Sequence, residues 1–168
     1  VPALICVMLA LLSRRIWTEI KEKMPTEALE VHVTAEQFAW NIRYAGADGK
    51  FDTPDDVVTL NQLHFPVGKA VVATVTSKDV IHSFYLPEFR VKQDAVPGLV
   101  IPVWFQADKT NKYDLVCAEL CGWGHYKMRG QLTVERAEEF EKYLKDLSED
   151  QFDDGVAVAA GEKDDEEN

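Results

Sequence analysis

The sequence predicts a mainly β domain, a sandwich or barrel of short strands, flanked by an apolar helix before it and an amphipathic helix after it. Two observations point to β structure. Val31, Val33 and Ala35, then Phe38, Trp40, Ile42 and Tyr44, alternate with more polar residues at period two, the signature of strands with one buried face. Further runs rich in β-branched and aromatic residues follow at 57–60, 70–76, 100–105 and 113–116. They are separated by Gly46-Ala-Asp-Gly49, Pro66-Val-Gly68 and Pro97-Gly98, and many short strands between Gly/Pro turns define a sandwich or barrel. A third observation sets the end of the domain. After Gln131 to Val134 the period changes, and Ala137, Phe140, Leu144 and Leu147 recur at helical spacing among charges, so one face of a helix over 135–148 lies on the barrel.

Before the barrel, Val1 to Leu12 is almost wholly apolar. Twelve helical residues rise about 18 Å, short of the roughly 30 Å of a bilayer core. Residues 1–17 are therefore expected to be the C-terminal part of a transmembrane helix, with Trp17 at the interface. No basic segment precedes the apolar run and no small-residue cleavage site follows it, which argues against a secretory signal. Arg14 and Arg15 at its end would by charge alone favour the cytoplasmic side. Residues 18–30 form a polar connector, and 31–134 form the β domain.

The chain has 168 residues, enough for one modest core, and a net charge of −11. From Glu149 onward nine acidic residues face one lysine, so 149–168 is expected to be a disordered acidic tail. What precedes it carries only −3. An acidic balance excludes nucleic acid as a partner and suits a basic protein, provided the domain's own acids cluster. There is no internal repeat and no C-x-x-C-H site for a covalently attached haem. Cys6 falls in the apolar run and reads as a packed or lipid-facing thiol.

The chemistry is concentrated in Cys117 to Met128, where C-x3-C-x3-H-x2-M places two thiols, an imidazole and a thioether within twelve residues. A disulfide between Cys117 and Cys121 is one use of that spacing in an oxidising compartment. A closed Cys2His2 zinc site with His125 and His82 is another. Zinc has no use for Met128, and structural zinc pairs commonly sit at tighter spacing. Thiolate and thioether favour copper, and a weak Met beside His and Cys recurs in copper electron-transfer sites. One cysteine serves a mononuclear site. Two can bridge a pair of ions, with the second imidazole coming from His82. Gly122 and Gly124 would let the ligand loop come close to the metal.

These motifs resemble subunit II of the haem-copper cytochrome c oxidases. That family carries an H-S-aromatic segment, then D-x-x-P-G, then C-x-E-x-C-x3-H-x2-M, here His82-Ser83-Phe84, Asp94 to Gly98 and Cys117 to Met128. The resemblance covers roughly residues 1–135. It implies a cupredoxin-like Greek-key barrel with a binuclear CuA centre. Cys117 and Cys121 would bridge two coppers, His82 and His125 would each cap one, and Met128 with the Glu119 carbonyl would add weak contacts. It further implies an electron-entry subunit of a proton-pumping terminal oxidase, accepting electrons from a cytochrome c or tethered cytochrome donor. The electrons would pass to a haem-bearing catalytic subunit for oxygen reduction. The family has two membrane helices before the copper domain, and places that domain on the periplasmic side of the bacterial plasma membrane or its equivalent. The Glu119 carboxylate would help hold magnesium shared with the catalytic subunit, and Arg90 and Asp94, near the Pro97-Gly98 turn, would hold loops against it. A nitric oxide reductase subunit and a copper carrier or assembly protein are the alternatives.

Three positions depart from the pattern. Relatives commonly show Q-W-x-W at the electron-entry surface, and here the run is Gln37-Phe38-Ala39-Trp40. Paired acids often precede the ligand histidine, and here the pair is Lys78-Asp79. Leu99 stands where many relatives have arginine. Phe38, Trp40, Lys78, Asp79 and Trp123 are the candidates for electron entry or docking, with Trp123 read first as an apolar cover. His32 and His64 have no sequence partners and read as surface or strand histidines.

Overall fold

The computed structural model describes residues 1–153. Ten strands form two five-stranded sheets. In chain order they are β1 (Leu29–Glu36), β2 (Ala39–Tyr44), β3 (Val57–Leu60), β4 (Gln62–Pro66), β5 (Ala70–Ser77), β6 (His82–Leu86), β7 (Val91–Ala95), β8 (Ile101–Gln106), β9 (Asn111–Cys117) and β10 (Arg129–Glu135). One sheet runs β3-β2-β1-β5-β8 and the other β4-β10-β9-β6-β7. The pairs β1–β5 and β4–β10 are parallel, and the rest are antiparallel.

The period-two reading of β1 and β2 holds residue by residue. Val31, Val33, Ala35, Trp40, Ile42 and Tyr44 all point into the core. Phe38 is the exception. Glu36 pairs directly with Ala39, so Gln37 and Phe38 are a two-residue hairpin turn rather than strand. Between the sheets, Trp40 meets Phe84 edge-on at 5.8 Å, and Phe105 packs against Phe65 at 5.6 Å and Phe84 at 6.2 Å. Each such fully buried side chain contributes roughly 1.5–3 kcal/mol.

The C-terminal helix α2 (Ala137–Asp153) runs five residues past the expected end at 148. Its last turn is secured by Gln151, whose side-chain oxygen accepts from Val58 N–H at 2.9 Å and whose amide donates to Asp56 O at 2.9 Å. That amide mimics a partner strand along the open edge of β3, so the helix persists where composition reads as tail. Residues 154–168, the remainder of the expected tail, lie outside the described residues. Phe140 is buried against Tyr44. Tyr143 stacks on His64 at 3.7 Å, and His64 Nδ1 lies 3.0 Å from Glu135. His32 stacks on Phe51 at 3.8 Å. Both histidines are strand residues with aromatic partners that the sequence did not reveal.

At the other end, α1 (Pro2–Trp17) buries none of its residues. The turn of π-helix after it, Thr18–Glu22, touches the barrel where Trp104 Nε1–H donates to Ile20 O at 2.8 Å. Among the described residues no helix is long and apolar enough to cross a membrane.

Candidate metal centre

One end of the barrel gathers the soft donors. His82 opens β6 and Cys117 closes β9, and these strands pair antiparallel with Phe84 opposite Cys117. Met128 stands just before β10, the other neighbour of β9, and its carbonyl accepts from Cys117 N–H at 3.2 Å. The β9–β10 loop supplies Glu119, Cys121 and, on a turn of 3-10 helix, His125. Ladder pairing therefore fixes three donors, and a loop held at both ends delivers the others.

The two sulfurs lie 3.8 Å apart and both thiols are free. A disulfide, with sulfurs near 2.05 Å, is not what this geometry holds. His82 Nδ1 is 3.9 Å from Cys117 Sγ and 3.1 Å from Met128 Sδ. Cys121 Sγ is 3.6 Å from His125 Nδ1 and 3.9 Å from Met128 Sδ. The Glu119 carbonyl is 3.2 Å from Cys117 Sγ, while the residue itself is exposed. The potential ligand atoms of His82, Cys117 and Cys121 all fall within 4.8 Å of one another, a grouping that could hold a metal ion. The donor set fits a soft metal, since it pairs thiols, imidazoles and a thioether with no carboxylate among the converging atoms. Burial, with Cys117 alongside, pushes the Cys121 thiol up to about 11. It is protonated at neutral pH without a cation, so a metal binding there displaces a proton.

Asp79 has a position that the sequence did not disclose. Its Oδ1 lies 2.9 Å from His82 Nε2, and it also accepts from Gln37 N–H at 2.7 Å and Val80 N–H at 2.6 Å. Burial alone would raise this carboxyl, but the bonds from His82, Gln37 and Val80 hold it below its ordinary range. A carboxylate on Nε2 selects the tautomer with a free lone pair on Nδ1, the nitrogen that faces the sulfurs. An acid three residues before a candidate ligand histidine was the available signal.

The remaining candidates separate. Trp40 is fully buried and sits edge-on to His82 at 6.4 Å, so it packs behind the site and presents no docking surface. Phe38 is half-buried at the hairpin tip, edge-on to Trp123 at 6.0 Å. Trp123 is 80% exposed, so it does not act as a buried cover, and the Lys127 ammonium lies 5.8 Å from its ring centre. Lys78 is exposed and pairs with Glu36 at 3.4 Å. Asp94 accepts from Ser83 Oγ at 2.7 Å and Lys92 at 2.6 Å, beside the metal end. Arg90 lies at the opposite end of β7, in a left-handed conformation after the Pro87–Phe89 turn. The whole of β7 thus separates it from the Pro97-Gly98 turn.

Comparison with known proteins fits this geometry. Residues 55–135 match the family model of the cytochrome c oxidase subunit II periplasmic domain. The crystal structure of the periplasmic domain of subunit II of cytochrome oxidase from Bradyrhizobium japonicum superposes with a TM-score of 0.67 at 31% identity, covering 76% of this chain and 99% of that one. A mixed-disulfide intermediate between a thioredoxin-like protein and subunit II of cytochrome c oxidase gives 0.63 at 30% identity, with coverages of 78% and 98%. The alternative cytochrome c oxidase subunit 2 of Bradyrhizobium diazoefficiens is 38% identical over 73% of this chain and 52% of its own length. Cytochrome c oxidase subunit 2 of Thermostichus vulcanus is 42% identical over 76% and 35%. The fold is thus a mainly β cupredoxin-like domain with a C-terminal helix. The chain belongs to the cytochrome c oxidase subunit II family, and spans about half the length or less of these two full-length relatives.

If Asp79 orients His82 for metal binding, Asp79→Ala should weaken metal affinity about tenfold to a hundredfold. Competition against a chelator of known affinity measures this. Unchanged affinity would show that the carboxylate does not support the ligand.

Proposed function

We propose that this chain is the electron-entry subunit of a terminal haem-copper oxidase, holding a binuclear copper centre with His82, Cys117, Cys121, His125, Met128 and the Glu119 carbonyl. The observation that carries this reading is a pair of buried, unbonded thiols 3.8 Å apart with a different imidazole nitrogen approaching each. When bound, the copper pair supplies one-electron redox chemistry. The chain's part is to keep the donors still and dry. His82 is wholly buried, and Cys117, Cys121 and Met128 are buried as well. A carrier that hands metal on needs exposed, exchangeable ligands, so this burial favours electron transfer over transport.

Electrons would come from a cytochrome donor and pass to a haem-bearing catalytic subunit, where oxygen reduction is coupled to proton pumping. The exposed Glu119 carboxylate is free to take part in a magnesium site shared with that subunit. Asp94, beside the metal end, and Arg90, at the other end of β7, would hold loops against the same subunit. The unburied apolar side chains of α1 suit a membrane anchor, with the copper domain on the periplasmic side. Before copper arrives, the reduced pair must be kept reduced. The relative captured in a mixed disulfide with a thioredoxin-like protein supports such a reductant as an assembly partner here.

Paramagnetic resonance of the copper-loaded chain tests the centre. The oxidised form should show one electron shared over two copper nuclei, and Cys117→Ser or Cys121→Ser should abolish that pattern. A single-copper hyperfine pattern in the unaltered chain would contradict the binuclear assignment.

The donor is a separate question of charge. Trp123 and Leu120 are exposed at 80% and 78%, with Lys127 against Trp123, and Lys78, paired with Glu36, stands where relatives often carry an acid. Steering by opposite charge then disfavours a basic cytochrome and suits an acidic, neutral or tethered one. Reduction by a basic cytochrome c should be slow and weakly salt-dependent, and Lys78→Glu should speed it at low salt. Fast reduction that falls steeply with salt, or no gain in Lys78→Glu, would contradict this donor assignment.

A further inference from the structure

The tip of the β1–β2 hairpin belongs to no ligand motif, yet it touches both halves of the donor set. Gln37 backbone N–H donates to Asp79, the carboxylate that holds His82. The Gln37 side-chain amide donates to the Cys121 carbonyl at 2.5 Å. Phe38 lies over the ligand loop so closely that a Cβ on Gly124 would come within 2.5 Å of its ring. A Cβ on Gly122, whose φ is +138°, would meet the Gln37 amide at 2.7 Å. One residue of the first sheet thus joins the imidazole on β6 to the thiol on the β9–β10 loop.

We propose that Gln37 is a positioning residue that holds Cys121 at metal-binding distance from Cys117 and opposes closure of the pair into a disulfide. The metal part of this statement rests on the copper reading above; the opposition to closure does not. The sulfurs must approach by roughly 1.8 Å to reach disulfide length. Cys117 cannot supply that movement easily, because it closes β9, pairs with Phe84 and donates its N–H to Met128 O. The motion falls on Cys121, and it draws the Cys121 carbonyl away from the Gln37 amide. Losing one neutral hydrogen bond shifts an equilibrium by roughly three- to tenfold. The reaction concerned is an exchange with a disulfide. One protein thiolate attacks glutathione disulfide and releases a glutathione thiolate. The second protein thiolate then attacks the mixed disulfide and releases the other. Two protein thiols are oxidised, one glutathione disulfide is reduced to two thiols, and the new bond joins Cys117 to Cys121.

The test is a glutathione redox titration of the metal-free chain, with Cys6→Ser present throughout so that only Cys117 and Cys121 react. Gln37→Met keeps the length of the side chain and removes the donor. Its equilibrium should move toward the disulfide by roughly three- to tenfold. Val57→Ala, a core truncation on β3, serves as the control for general loosening and should leave the equilibrium unchanged. An unshifted equilibrium in Gln37→Met, or an equal shift in Val57→Ala, would overturn the proposal. Should Gln37→Met fail to fold, Gln37→Leu removes the donor without adding charge and is read identically. No metal is present, so the result is independent of which ion the site holds. The copper reading stands or falls on its own spectrum.

Discussion

Two thiols that sit 3.8 Å apart without bonding set the terms for everything around them. Left to themselves in an oxidising compartment, such sulfurs would close into a disulfide. With a soft cation between them they are worth far more as thiolates. The fold keeps them apart by anchoring them independently. Cys117 is fixed by the ladder of the second sheet, and Cys121 by a loop clamped from the first. Burial pushes the Cys121 thiol up to about 11, so a metal that binds its sulfur must displace a proton.

The same division of labour runs through the whole site. His82 opens a strand and Met128 directly precedes one, so their backbone positions are tied to the ladder. Register is rigid because a slip of one residue would turn Phe84 and Leu86 out of the core. Cys121, Glu119 and His125 sit on a loop, where register has no hold, and the hairpin tip takes over. Asp79 links the two systems, since it binds His82 on one side and Gln37 on the other. Restraints from both sheets therefore converge on one set of donors.

How much of this was legible in the sequence depended on whether the signal was local. The donors announced themselves, because C-x3-C-x3-H-x2-M is short and its residue types carry their chemistry openly. The strands with clean alternation were also readable. β4 and β7 were not, since each is five residues long: Gln62 to Pro66 alternates over too short a run, and Val91 to Ala95 shows no alternation. β6 was hidden behind its own motif, as His82-Ser83-Phe84 is buried on both faces and shows no alternation. Gln37 and Asp79 were the real omissions. Gln37 meets Cys121 across 84 residues of chain, and nothing in a polar residue beside a strand points that far. Asp79 stands beside Lys78 in a charged pair that reads as surface, and only the fold brings its carboxylate to His82. Arg90 was placed near the Pro97-Gly98 turn by proximity in sequence, whereas β7 carries it to the far end.

The proposed binuclear centre requires the barrel end to hold two metal ions between Cys117 and Cys121. The most direct measurement is a crystal of the copper-loaded chain with anomalous scattering recorded at the copper edge. Two copper peaks are expected, both within bonding distance of the Cys117 and Cys121 sulfurs, one beside His82 and the other beside His125. A single peak, or a peak that responds at the zinc edge and not the copper edge, would contradict it.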